Sequence, residues 1–118
     1  MKNGKHLIID AYGCDTKSLF DIEVIEQMLF QVTEMIELKP LSDALIYEVD
    51  ETTETGVTGG IIFMESHFTF HSFPHKNYFS ADIYSCKGFS HSEVAKYIGE
   101  LFKALKLDVT VLIRGTQL

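Results

Sequence analysis

The spacing of apolar residues changes period several times along the chain. "KHLIIDAY" (residues 5–12) is a short apolar run between polar flanks and reads as a strand. From about Ser18 to Leu38, the residues Ile22, Ile25, Leu29, Val32 and Ile36 recur at three- and four-residue steps. That period predicts an amphipathic helix with one apolar stripe. "ALIYEV" (44–49) reads as a strand, followed by an acidic, Thr-rich loop, "DETTET" (50–55). Further strands are predicted at "TGGIIFM" (58–64), "HFTFHSF" (67–73) and "YFSADIYSC" (78–86). Ser90 and Glu93 form a capping box for a second helix reaching about Leu105, with Val94, Ile98, Leu101 and Leu105 inward. "LDVTVLI" (107–113) closes the chain as a strand.

This order is strand-helix-strand, a central hairpin region, then strand-helix-strand. It predicts an α+β two-layer sandwich: a largely antiparallel sheet with two helices on one face. The other sheet face carries too many aromatics to stay wet, so it is expected to meet a partner, a second copy of the chain. With two prolines and no low-complexity stretch, residues 1–118 read as a single domain.

Composition narrows the function classes. The chain has 118 residues and a formal charge of −7. That sign argues against a nucleic-acid grip and against binding to anionic membranes. It gives cationic small molecules a favourable field. No apolar run approaches the length of a membrane span. Near the N-terminus, Asp10 interrupts the apolar run and no small-residue cleavage site follows, so a signal peptide is not expected. The two cysteines, Cys14 and Cys86, form no CxxC motif, and a reducing cytoplasm is the expected location.

The chemistry concentrates in "FMESHFTFHSFPH" (63–75), where His67, His71 and His75 recur every four residues. On a helix they would share a face and invite a metal. On a strand, neighbours at that spacing lie roughly 13 Å apart, too far for one ion. The strand reading therefore predicts no metal on these three. "PHKN" (74–77) reads as a turn. A hairpin centred near Lys76 or Asn77 sets residue 66 opposite residue 86, give or take one. It would bring Ser66 beside Cys86, with their side chains on one face. A hydroxyl, a thiol and the imidazole of His67 would then sit on adjacent backbone.

These residues resemble the short bacterial and archaeal S-adenosylmethionine decarboxylase proenzymes. The resemblance runs nearly end to end, through "GKHLIIDAYGCD", "IEQMLF", "GVTGGIIFMESHFTFHSFP" and "YFSADIYSCKG". It implies self-cleavage between Glu65 and Ser66, giving fragments 1–65 and 66–118, with Ser66 converted into a pyruvoyl group. That group would serve as the cofactor, taking the substrate amine as a Schiff base in a decarboxylation of polyamine biosynthesis. The resemblance gives His71 the proton movements of elimination, Cys86 the protonation of the substrate carbon, and Thr58 a supporting role in processing. Thr58 stands where the family usually has Ser. His67 is expected to position its neighbour, Cys14 to be structural, and His91 to be exposed.

Two departures bear on the substrate. The family typically has Pro-Glu after the His-containing strand, its Glu associated with the ribose hydroxyls; here the pair is Pro74-His75. The family also carries an aromatic, stacking on adenine, shortly before its Gly-Val-Ser-Gly. Here "YEVDETTETGVTGG" places Tyr47 earlier and adds the acidic Asp50, Glu51 and Glu54. His75, Phe73, Glu51 and Glu54 are the expected substrate contacts. S-adenosylmethionine is the family's default substrate. An acidic pocket would instead suit ornithine or arginine, whose distal cation pairs with carboxylates. A catalytically silent regulatory paralogue is a third reading.

Overall fold

The computed structural model describes residues 3–51 and 54–118. Met1, Lys2, Thr52 and Thr53 lie outside it, and with them the very start of the chain and the middle of the acidic loop. In chain order the elements are β1 (Gly4–Tyr12), α1 (Thr16–Leu19), α2 (Ile22–Ile36), β2 (Leu45–Asp50), β3 (Thr55–Phe63), β4 (Ser66–Phe73), a 3-10 turn (Pro74–Lys76), β5 (Tyr78–Ser85), α3 (His91–Leu101) and β6 (Lys106–Arg114). The strands form one six-stranded sheet in the order β2-β3-β4-β5-β1-β6, and every neighbouring pair is antiparallel. The expected α+β architecture is what forms.

Alternation along the strands builds the core on the helix side. On β5, Phe79, Ala81, Ile83 and Ser85 are buried, while Tyr78, Ser80, Asp82 and Tyr84 face the other way. Phe70, Phe79 and Phe102 meet with ring centroids 5.1 to 5.3 Å apart. Such pairs add about 0.5–1.5 kcal/mol each beyond area burial. α2 contributes Ile25, Met28, Leu29, Val32 and Ile36 as one buried stripe.

Three helix boundaries differ from the sequence reading. The helix expected from Ser18 to Leu38 is broken at Phe20–Asp21, because the Asp21 carboxylate accepts the amides of Glu23 and Val24 and starts a new helix. It ends early at Glu37, whose φ of 53° is left-handed. The second helix stops at Leu101, not Leu105. Phe102 turns fully into the core, Lys103 takes a φ of 54°, and Leu105 is left 88% exposed. A larger aromatic close to the end of the stripe outcompetes the leucine for the core. His91 is half-buried, not exposed, with Lys5 Nζ 3.4 Å from its Nδ1.

Cys14 is 3% exposed, and burial pushes its thiol up to about 11 from an ordinary 9.0. Burial disfavours the thiolate, so the fold binds this proton more tightly than the unfolded chain does. The resulting stability is complete below pH 9 and is lost as pH rises through about 11. Alkylation at pH 8 should therefore label Cys86 and spare Cys14 until denaturant is added. Equal labelling rates for the two thiols in the folded protein would contradict this.

Candidate active site

The cleavage site predicted from sequence sits on a two-residue turn. Phe63 pairs with Ser66, leaving Met64 and Glu65 to close the β3–β4 hairpin. Of these two, only Glu65 has a positive φ, 63°. A negative-then-positive pair is the pattern of a type II turn, which favours Gly at its second position and fits hairpin twist poorly. A non-glycine residue held there stores roughly 1–3 kcal/mol of strain. The strain lies directly against the peptide bond before Ser66.

Ser66 itself is buried, and its Oγ accepts the Cys86 amide at 3.4 Å. Here the sequence reading needs correction. The β4–β5 register pairs His67 with Tyr84, so Ser66 falls opposite Ser85, one residue from the expected partner. That single step lay within the expected margin, but it changes the face. Ser66 joins Phe68 and Phe70 on the helix side, and its link to Cys86 is through backbone. The Cys86 thiol lies 3.3 Å from the Tyr84 hydroxyl. The contact with Cys86 is the largest influence raising the Tyr84 phenol above its ordinary value, ahead of burial and the Cys86 charge; Arg114, stacked 5.0 Å over the ring, opposes the shift. Tyr84 was not singled out from the sequence, although the i, i+2 spacing of a strand places it beside Cys86.

A second group forms farther along the same open sheet face. Thr58 and His71 stand opposite one another on β3 and β4, with Thr58 Oγ1 3.0 Å from His71 Nδ1. Tyr47 on β2 faces Thr58 in turn and is 60% exposed. The aromatic that sits too early in the sequence is thus brought into one row with Thr58 and His71. Beside this row a cleft of ≈ 160 Å³ is lined by Val49, Glu54, Gly56, Thr58, His71 and Phe73. Gly56 must remain Gly, since a Cβ there would overlap the Ser72 carbonyl.

The remaining expected contacts divide. Phe73 and Glu54 line the cleft, although Glu54 also pairs with Lys76 at 3.6 Å. Glu51 and His75 do not line it. The Glu51 amide closes the loop onto the Glu54 carbonyl. His75 is exposed and packs edge-on to Phe20, 5.7 Å between centroids. His67, His71 and His75 do not converge: His71 turns to Thr58, His75 to Phe20, and His67 to Asp82.

The S-adenosylmethionine decarboxylase family model matches residues 5–115. The chain belongs to the S-adenosylmethionine decarboxylase family. A relative from Anoxybacillus flavithermus, "S-adenosylmethionine decarboxylase proenzyme", is 38% identical over 114 residues, covering 95% of this chain and 87% of its own. One from Halalkalibacterium halodurans, "S-adenosylmethionine decarboxylase proenzyme 2", is 35% identical over 113 residues, covering 95% and 86%. The solved adenosylmethionine decarboxylase of Aquifex aeolicus superposes with a TM-score of 0.82 at 25% identity, covering 98% of this chain and 93% of that one. As in the sequence reading, S-adenosylmethionine decarboxylase membership extends over nearly the whole chain, including the strand that begins at Ser66 and the segment after β5 that holds Cys86. No helix among the described residues is long and apolar enough to cross a membrane.

Proposed function

We propose that this protein is a self-processing, pyruvoyl-dependent S-adenosylmethionine decarboxylase of polyamine biosynthesis. The observation that carries the proposal is the left-handed Glu65 immediately before a buried serine. A strained amide beside a positioned hydroxyl is the arrangement that an N-to-O acyl shift needs. Ser66 Oγ attacks the Glu65 carbonyl, forming an ester as the amide C–N bond breaks. Loss of the Ser66 α-proton then expels the Glu65 carboxylate and leaves dehydroalanine. Its imine tautomer is hydrolysed by water to the pyruvoyl group, releasing ammonia. The chain is left as residues 1–65 and a blocked 66–118.

Ser66 and its surroundings fit this group, because the new terminus lies at a strand end beside Cys86. When formed, the group supplies a conjugated carbonyl that takes up the electrons released with CO₂. The chain's own part is to place acids and to seat the substrate. The Cys86 thiol delivers a proton to the substrate carbon, oriented by the Tyr84 hydroxyl. Tyr47 offers an exposed aromatic face for an adenine, in the row that contains Thr58 and His71.

Ser66 and His71 lie on one strand, about 16 Å apart at ~3.3 Å per residue and pointing to opposite faces. His71 cannot serve the Ser66 of its own chain across that span. A second copy docked on the open face would bring its Thr58–His71 pair toward the first copy's Cys86 and the strand end that begins at Ser66. Tyr12, Leu45, Tyr47, Ile62 and Leu112 stand exposed on that face and supply apolar area for a homodimer. Light scattering should give twice the chain mass; a monomer retaining full activity would end this assignment.

The basic-amino-acid alternative is not favoured. His75 and Glu51 lie outside the cleft, Glu54 is shared with Lys76, and the relatives are named for S-adenosylmethionine. The silent-paralogue reading loses ground because Ser66, His71 and Cys86 are all present in a chain matching the proenzymes. Measured in parallel, CO₂ release from S-adenosylmethionine should exceed that from ornithine or arginine by at least a hundredfold. Comparable release from ornithine would reverse the substrate assignment.

The Thr58 hydroxyl holds His71 in one ring orientation, so Thr58→Val should slow self-cleavage roughly ten- to a hundredfold, within the range of general acid–base effects. The rate can be read by mass spectrometry on freshly refolded precursor. An unchanged rate would remove Thr58 from the processing machinery.

A further inference from the structure

We propose that His6, His67 and Asp82 form a binding site for one divalent transition-metal cation of the Zn²⁺ class on the open face of the sheet. The three residues come from β1, β4 and β5. His6 and His67 both stand opposite Tyr84, on the two strands that flank β5, and Asp82 lies two residues away on the same face of β5. Their rings meet edge to face, 6.1 Å between centroids. Their potential ligand atoms all lie within 4.8 Å of one another.

The distances point to a shared cation rather than to hydrogen bonds. Asp82 Oδ1 is 3.6 Å from His6 Nε2 and 3.4 Å from His67 Nε2. An N–H···O bond is about 2.7–3.2 Å, so neither contact closes one. His6 Nε2 is buried with no hydrogen-bond partner among the described residues, and a buried polar atom of this kind calls for an explanation. Ligand atoms on a tetrahedral Zn²⁺, with bonds of about 2.0–2.1 Å, are spaced by about 3.4 Å. The octahedral shell of Mg²⁺ spaces them by about 2.9 Å. The two Asp82 edges match the tetrahedron, and the third edge, between the imidazoles, lies within 4.8 Å. Two neutral imidazoles with one carboxylate also favour Zn²⁺-like ions over Mg²⁺ or Ca²⁺. The fourth position would be left to water or to a group of the facing copy. The ion would tie three strands together beside the residue that follows the cleavage site.

The test uses the full chain, with Zn²⁺ in calorimetry and Co²⁺ as the spectroscopic probe. One equivalent of Zn²⁺ should bind per chain and raise Tm, as any ligand of the native state does. Co²⁺ should give the intense visible bands of tetrahedral coordination. His6→Gln and Asp82→Asn should each weaken binding at least a hundredfold while circular dichroism shows the fold retained. Cys86→Ala should bind as the parent does, and so should uncut Ser66→Ala, which makes the outcome independent of processing. Absence of stoichiometric binding to the parent chain would overturn the proposal, whatever the variants do. So would parental affinity in both folded ligand variants, or binding lost in Cys86→Ala.

Discussion

A Ser66→Ala chain is expected to remain one uncut polypeptide of 118 residues, whereas the parent resolves into residues 1–65 and 66–118. Alanine removes the nucleophile and leaves the turn intact, since the Met64–Glu65 loop and the pairing of residues 63 and 66 depend on backbone alone. The unfavourable φ at Glu65 persists, so strain without a hydroxyl should give no cleavage. Decarboxylation should vanish with it, because no carbonyl is made. Intact-mass measurement separates the outcomes: a parent chain that also stays whole, with a free N-terminus, would sink the self-processing assignment. The variant should be at least as stable as the parent, because Ser66 Oγ makes only one long hydrogen bond, at 3.4 Å.

Cys86→Ala should divide the two activities. The contact from residue 86 to Ser66 is made by the main-chain amide, which alanine keeps. Self-cleavage should therefore proceed at close to the parental rate. Turnover should fall by about 10²–10⁴, the usual loss when a positioned proton donor is removed. A second readout distinguishes this from a packing defect. The hydrogen bond with Cys86 is the largest influence raising the Tyr84 phenol, so in the variant that phenol should titrate closer to its ordinary 10.0. Ultraviolet titration would detect the shift. Parental turnover in Cys86→Ala would remove the thiol from the chemistry, and loss of self-cleavage would show that the side chain acts earlier than assigned.

Several features of the site were legible from residue order. The Glu-Ser-His triplet and the histidine five residues beyond the serine fall at the β3–β4 turn and on β4, as the strand reading expects, whereas the cysteine twenty beyond it lies just past β5, one register step from its expected place opposite Ser66. The strand reading of residues 67–73 disposed of the three-histidine metal site, because a strand cannot bend three side chains onto one ion over that length. The misplacements are instructive. Leu105 fitted the helical period yet lies outside, because Phe102 filled the core first. His75 and Glu51 were near the site in sequence and lie outside its cleft, whereas Tyr47 looked too early and stands in its row. Sequence distance along a loop says little about position across a sheet.

Periodicity along the chain determined the α+β class, and side-chain chemistry marked Ser66, His71 and Cys86 as the candidate reactive residues. These are local properties, set by side-chain alternation and by which groups can act as nucleophile or acid. Tertiary structure alone decided the β4–β5 register, which set Ser66 opposite Ser85 and left Cys86 beside Tyr84. It also decided that β1 inserts between β5 and β6 and so carries His6 to Asp82. The physical reason is that strand pairing is chosen by the whole core at once. A one-residue slip exchanges every inward and outward side chain, and no short stretch of sequence carries that information.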